Sequence, residues 1–215
     1  MEFHLLYSGS LHSERHAQER SEKHAIRKSF HNQLKRLWQV NSLLKRMAEI
    51  EGRIEYAENL PAPPEQAPEL AESEAIPKGL ARMSKNWNRN SFDFLPLVTA
   101  KLCLRCRLEI LFLRPEERNY IRQGGDLDRR LITLFDAMRI PEQAQDLPPG
   151  AGPENHEYPF FCLLQDDELI SEVEIKAAPL LVLPEKKLLE AHDVYLQINV
   201  CLNTTRPNTY SWVFG

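Results

Sequence analysis

Hydrophobic positions along the chain recur at two spacings. Phe3, Leu5 and Tyr7 alternate with His4 and Leu6 ahead of Ser8-Gly9-Ser10, which predicts a short opening strand. The spacing then lengthens. Ile26, Phe30, Leu34, Leu37 and Trp38 form one helical stripe behind Ser21, a suitable N-cap. Asn41-Ser42 interrupts this helix or caps a continuation through Leu43, Leu44 and Met47. Alternation returns at 94–98 and 101–113, predicting two strands that end at Pro115. Leu127, Leu131, Leu134, Phe135 and Met138 predict a second helix over 126–139. A strand over 169–177 with Val173 and Ile175 inward follows, and a last one alternates through Val194, Leu196, Ile198, Val200 and Leu202. The predicted order is β-α-β-β-α-β-β, an α+β single domain with helices packed on a mixed sheet.

Composition adds two interruptions. The 215 residues, 42% hydrophobic and 27% charged, suffice for one good core. Residues 49–75 are rich in Glu and carry Pro61, Pro63, Pro64 and Pro68, which predicts an extended acidic linker. Residues 141–159 hold five prolines and two glycines and predict an irregular insertion. No apolar run approaches the roughly 18 residues of a membrane span. Met1-Glu2-Phe3-His4 lacks the basic and apolar regions of a signal peptide, so a soluble cytoplasmic protein with no membrane partner is expected.

The net charge of −4 conceals a segregated distribution. Residues 13–46 contain nine Lys/Arg against three Glu, residues 47–75 eight Glu against one Arg, and residues 76–90 four Lys/Arg and no acid. Lys23, Arg27, Lys28, Lys35 and Arg36 thus form a basic stripe on the first helix, which suits either phosphate contacts or an ordinary solvated face. Trp87, in a basic stretch, suits packing or stacking on an exposed base.

Cysteine and histidine spacing points away from metal. Cys103-x-x-Cys106 would place its thiols on opposite faces of a strand, and Cys162 and Cys201 are isolated, so buried free thiols are expected. His12, His16, His24 and His31 are expected as surface or DNA-facing residues.

The carboxylates carry more chemistry. Gly124-Gly125-Asp126-Leu127-Asp128 puts two acids two residues apart at the mouth of the second helix, and Asp166-Asp167 opens a later strand. Asp126 as a helix cap and Asp128 as a first-turn acid is one reading. The other is a pocket for a hard cation, because carboxylates held close repel by roughly 4 kcal/mol per pair at an intermediate dielectric. The glycine pair, the surrounding Arg118, Arg122, Arg129 and Arg130, and the second acidic pair favour the pocket.

Together with Phe135-Asp136-Ala137-Met138 and Asp166-Asp167-Glu168-Leu169-Ile170, the D-x-D helix resembles the RusA-type Holliday-junction resolvases, small endonucleases of bacteria and their phages. The resemblance covers residues 101–177 and extends by element order to the rest, outside the acidic linker and the Pro-rich insertion. It implies a homodimer that cuts branched or junction DNA with Mg²⁺ or Mn²⁺, acting in DNA recombination or repair. Asp126, Asp128 and Asp167 would be catalytic metal ligands, with Asp166 a further candidate. Arg129 and Arg130 would join the basic stripe on DNA. The chain departs from the family at Arg129, where Asn is usual, and at Ile132, where a functional Lys is usual. An aliphatic side chain cannot neutralise charge on a reacting phosphate. The alternative is a RusA-like nucleic-acid-binding protein with weakened or lost catalysis.

Overall fold

The computed structural model describes residues 1–12, 18–59, 70–114, 124–181 and 192–206, the side chains of 124–126 excepted. Its main sheet has the order β1-β7-β4-β6, formed by β1 (Glu2–Ser10), β4 (Leu104–Arg114), β6 (Ile170–Pro179) and β7 (Asp193–Thr204). β7 runs antiparallel to both β1 and β4, and β4 is parallel to β6. Strict alternation puts Leu104, Cys106, Leu108, Ile110 and Phe112 of β4 into the core beside Val194 to Leu202 of β7. The parallel β4–β6 pair needs a long crossover, and α4 (Gly124–Met138) lies within it. A smaller sheet joins β2 (Asn88–Arg89), β3 (Phe92–Val98) and β5 (Phe160–Leu164), with β3 parallel to β5.

Helix α1 (Glu19–Val40) packs on β5, α4 and β1. Its residues Ile26, Phe30, Leu34 and Trp38 enter the main core, while Phe92, Phe94, Ile140, Leu147, Phe160 and Cys162 form a second cluster. The chain is therefore mixed α and β, consistent with the α+β expectation. No described helix is long and apolar enough to cross a membrane.

The element order is richer than predicted. Residues 49–58 and 72–75 are not linker: they belong to α2 (Ser42–Glu58) and α3 (Glu72–Ser84), which pair closely, and 60–69 lie outside the described residues. The Asn41 side chain caps α2 by accepting from Leu43 N and Leu44 N, both at 3.0 Å. The acids that suggested a solvated linker sit at helical spacing, and Arg82 of α3 binds three of them. It lies 3.0 Å from Glu51, 2.8 Å from Glu55 and 2.5 Å from Glu58. Strand β5 was also not predicted, because all five of its residues are buried and nothing alternates.

Smaller differences have local causes. Cys103 is not on a strand face but in the turn before β4, at φ 53°. All four cysteines are free, and Cys106 and Cys162 are buried. Val173 and Ile175 line up beside Leu108 and Ile110 on the core-facing row. Because β6 is the sheet edge, Val173 nevertheless stays 38% exposed. Residues 141–159 are irregular apart from single 3₁₀ turns at Ala144–Asp146 and Asn155–Glu157.

Candidate functional site

Two acidic motifs flank the same helix. Asp126 lies in the first turn of α4, its side chain outside the described residues, and Asp128 and Arg129 are exposed. Asp166 precedes the 3₁₀ turn Asp167–Leu169 and caps it, its Oδ1 accepting from Glu168 N at 3.0 Å. That turn packs against α4, and Leu169 reaches the core. Asp167 is exposed; partial desolvation and Asp166 hold its carboxyl above the usual range against the pull of Arg139. Among the described residues no three His, Cys, Asp or Glu side chains form a metal-holding group; Asp126 is outside that set. Ile132, one turn beyond Asp128, is 55% exposed.

The basic stripe of α1 turns out to be engaged within the protein. Lys23 bridges Glu19 at 2.7 Å and Asp136 at 2.8 Å. Lys28 bridges Glu154 and Glu157, both at 2.9 Å, and Lys35 donates to the His156 carbonyl. Arg27 is buried and donates from Nη2 to the Asp136 carbonyl at 3.0 Å. Arg130 is also buried and donates to the Leu11 carbonyl. Arg36 and Arg129 are exposed. Of the seven cations expected on DNA, Arg27 and Arg130 therefore point inward.

Asp136, the acid of the Phe135-Asp136-Ala137 segment, is the hub of this network. Burial alone would raise its pKa, but Lys23 and Arg139 hold the carboxyl below its usual range. Arg139 Nη2 lies 3.0 Å from Asp136, and its Nη1 lies 2.8 Å from Glu142.

A second polar group joins the amino terminus to β7. His12 Nδ1 donates to the Glu22 carboxylate at 2.9 Å, and the ring stacks on His192 with centroids 4.1 Å apart. Ser10 donates to Asp193 at 3.0 Å, and Tyr7 donates to the Ser10 carbonyl at 2.7 Å. Burial, helped by Glu22 and Asp193, pushes the Tyr7 hydroxyl up. His12 is thus tied into the protein, and His16 lies outside the described residues.

His24 and His31 are buried, not DNA-facing. With Arg27 they occupy a 24-27-31-34-38 spacing, a seam that faces β5, and this heptad-like interval runs in the sequence alongside the stripe of Ile26, Phe30, Leu34, Leu37 and Trp38. His31 Nδ1 accepts from Phe161 N at 2.9 Å, so the ring must be unprotonated there. Its centroid is 4.5 Å from that of Phe160. Burial, aided by Arg27 and Lys28, pushes His24 from 6.5 down to about 4. Burial does the same for His31, also to about 4, although Glu157 opposes it.

These shifts predict acid sensitivity. Between pH 6.5 and about 4 the unfolded chain binds protons at both rings that the folded chain refuses, so stability falls as pH falls through that window. Urea unfolding at pH 7 and pH 5 should differ by about 1.5 kcal/mol per ring, discounted for partial solvent access. His31→Gln should roughly halve that difference; an unchanged difference would mean that His31 titrates normally when folded.

No protein-family model matches this chain, and no curated protein matches it in sequence.

Proposed function

We propose that this protein is a RusA-like, divalent-metal-dependent endonuclease acting on branched DNA as a homodimer. The observation that supports the reading is the D-x-D at the mouth of α4; the Asp166-Asp167 turn packs at the other end of that helix, beside Arg139, so within one chain the two acidic motifs are not gathered into one pocket. Asp128 and Asp167 are both exposed, as ligands of a metal shared with a DNA phosphate would need to be. Asp126 and Asp128 would hold Mg²⁺ or Mn²⁺; the resemblance adds Asp167, with Asp166 adjacent to it. Such a metal would activate a water and stabilise charge on the scissile phosphate. Carboxylate oxygens are the donors these hard cations prefer.

The test is cleavage of a synthetic four-way junction in Mg²⁺ or Mn²⁺. Asp128→Asn should lower the rate by roughly a hundredfold or more. If wild type cuts neither junctions, flaps nor forks with either metal, the enzymatic reading fails.

A binding protein without cleavage is the second reading, favoured by Ile132. One turn from Asp128, an exposed aliphatic side chain stands where the resemblance calls for a cation. Lysine fits at this open position, so Ile132→Lys should raise junction cleavage in the endonuclease. The two readings also separate by heat. Metal that binds only the folded state stabilises it by roughly 2.7 kcal/mol at a hundredfold excess over Kd. Such a shift in wild type, absent from Asp126→Asn, identifies a metal site; no shift with either metal favours binding alone.

A further inference from the structure

The two edges of the main sheet differ. On β1 the Gln33 side chain of α1 stands where a neighbouring strand would. Its Oε1 accepts from Leu6 N at 2.8 Å, and its Nε2 donates to Leu6 O at 2.7 Å. The opposite edge is β6, which among the described residues pairs with β4 alone. A ten-residue strand turns the N–H and C=O of every second residue away from its one partner, and such a row is a template for a further strand.

The side chains of β6 determine which strand fits. Register with β4 puts Val173, Ile175 and Ala177 on the core-facing row, and Glu172, Glu174, Lys176 and Ala178 on the outer row. Val173 and Ala177 are exposed, so the core-facing row is left partly uncovered at this edge. On the outer row Glu174 and Lys176 are exposed and bridge each other at 2.8 Å.

Two β6 strands paired antiparallel about a two-fold axis keep each face on its own side when one residue stands opposite its own copy. Centring on Glu174 or Lys176 opposes like charges, and centring on Val173 sets Glu172 against Glu174. Ile175 is the one centre that opposes unlike charges without opposing like ones. Glu174 then faces Lys176 of the second copy, Val173 faces its Ala177, and the two Ile175 side chains meet. Ser171 falls opposite Pro179, whose missing N–H ends the ladder there.

We propose that β6 is the docking edge for a second copy of this chain, paired antiparallel about Ile175 so that two four-stranded sheets become one. The pairing supplies the surface for the homodimer of the nuclease reading, and in that respect rests on it. No metal, DNA or cleavage enters it, so a failed cleavage assay leaves the pairing standing, and a failed pairing leaves cleavage to its own test.

Sedimentation velocity of the full chain, free of metal and DNA, measures the association. Wild type should approach twice 25.0 kDa as its concentration rises. Glu174→Lys and Lys176→Glu each set like charges opposite one another at both symmetry-related contacts, and each should raise the dimer Kd roughly tenfold. Combining them exchanges the charges but keeps them unlike, so the double variant should return to within about threefold of wild type. These variants change exposed side chains only, so their circular dichroism should match wild type. Wild type that stays at 25.0 kDa into the high micromolar range overturns the proposal. A dimer that neither reversal weakens, or that the double variant weakens as much as the single ones do, overturns it as well.

Discussion

Asp136→Ala is expected to lower the free energy of unfolding by about 3–5 kcal/mol, the cost of breaking a partly buried charge network at its centre. Lys23 and Arg139 contact the Asp136 carboxylate at 2.8 and 3.0 Å, and their side chains are only 19% and 15% exposed. Removing the acid leaves three cations, Arg27 among them, facing one another with Glu19, Glu142 and Asp146 at the edge. Because the folded carboxyl titrates below its ordinary value, its contribution is present at neutral pH and fades on acidification through that lowered pKa. Chemical denaturation at pH 7 measures the loss. Lys23→Met on the Asp136→Ala background should recover part of it, since the two residues share one interaction. A loss under about 1 kcal/mol would mean that solvent screens the network like an ordinary surface pair.

Asp136 also shows how far the sequence could be read. On a helical wheel it lies opposite Leu127, which excludes the main core face and leaves a solvent-facing or salt-bridged role. The structure gives the salt bridge, but its partner Lys23 is 113 residues away. Period-two alternation in β1, β4 and β7 was legible because one face of each strand is buried and the other is not. The same rule missed β5, where Phe160 to Leu164 are buried on both faces. Local charge counting mistook the Glu-rich carboxyl half of α2 for linker, because its counter-charges, Arg82 and Lys85, come from the other side of the proline-containing stretch. Likewise the basic stripe of α1 was legible as a stripe, while its engagement by Asp136, Glu154 and Glu157 arises only when distant segments close over it. The acidic motifs were legible as text. That they fall at opposite ends of α4 depends on where β5 delivers Asp166 and Asp167, which no local pattern encodes.

Gly79→Ala is expected to cost about 3–5 kcal/mol, and Gly79→Val to undock α3 from α2, through overpacking against backbone. A methyl group on Gly79 would stand 1.7 Å from the Ala48 carbonyl oxygen, and one on Gly52 1.8 Å from the Ala75 carbonyl oxygen. Backbone atoms cannot rotate out of the way as a side-chain tip can, so the two helices must separate. Separation also lengthens the contacts of Arg82 with Glu51, Glu55 and Glu58. Gly152→Ala is the control: nothing lies within 4 Å of its added methyl, and its effect should stay within about 1 kcal/mol of zero. Trp87 lines the groove beside Arg82 and Lys85, so its fluorescence reports the state of α3 directly. A shift of Trp87 emission in Gly79→Val, with β-sheet circular dichroism preserved, would place the loss in the α2–α3 hairpin. If Gly79→Ala unfolds within 1 kcal/mol of wild type, the close helix approach is not what seats the hairpin. The charge ladder onto Arg82 would then have to hold it, and Arg82→Met would become the more damaging change.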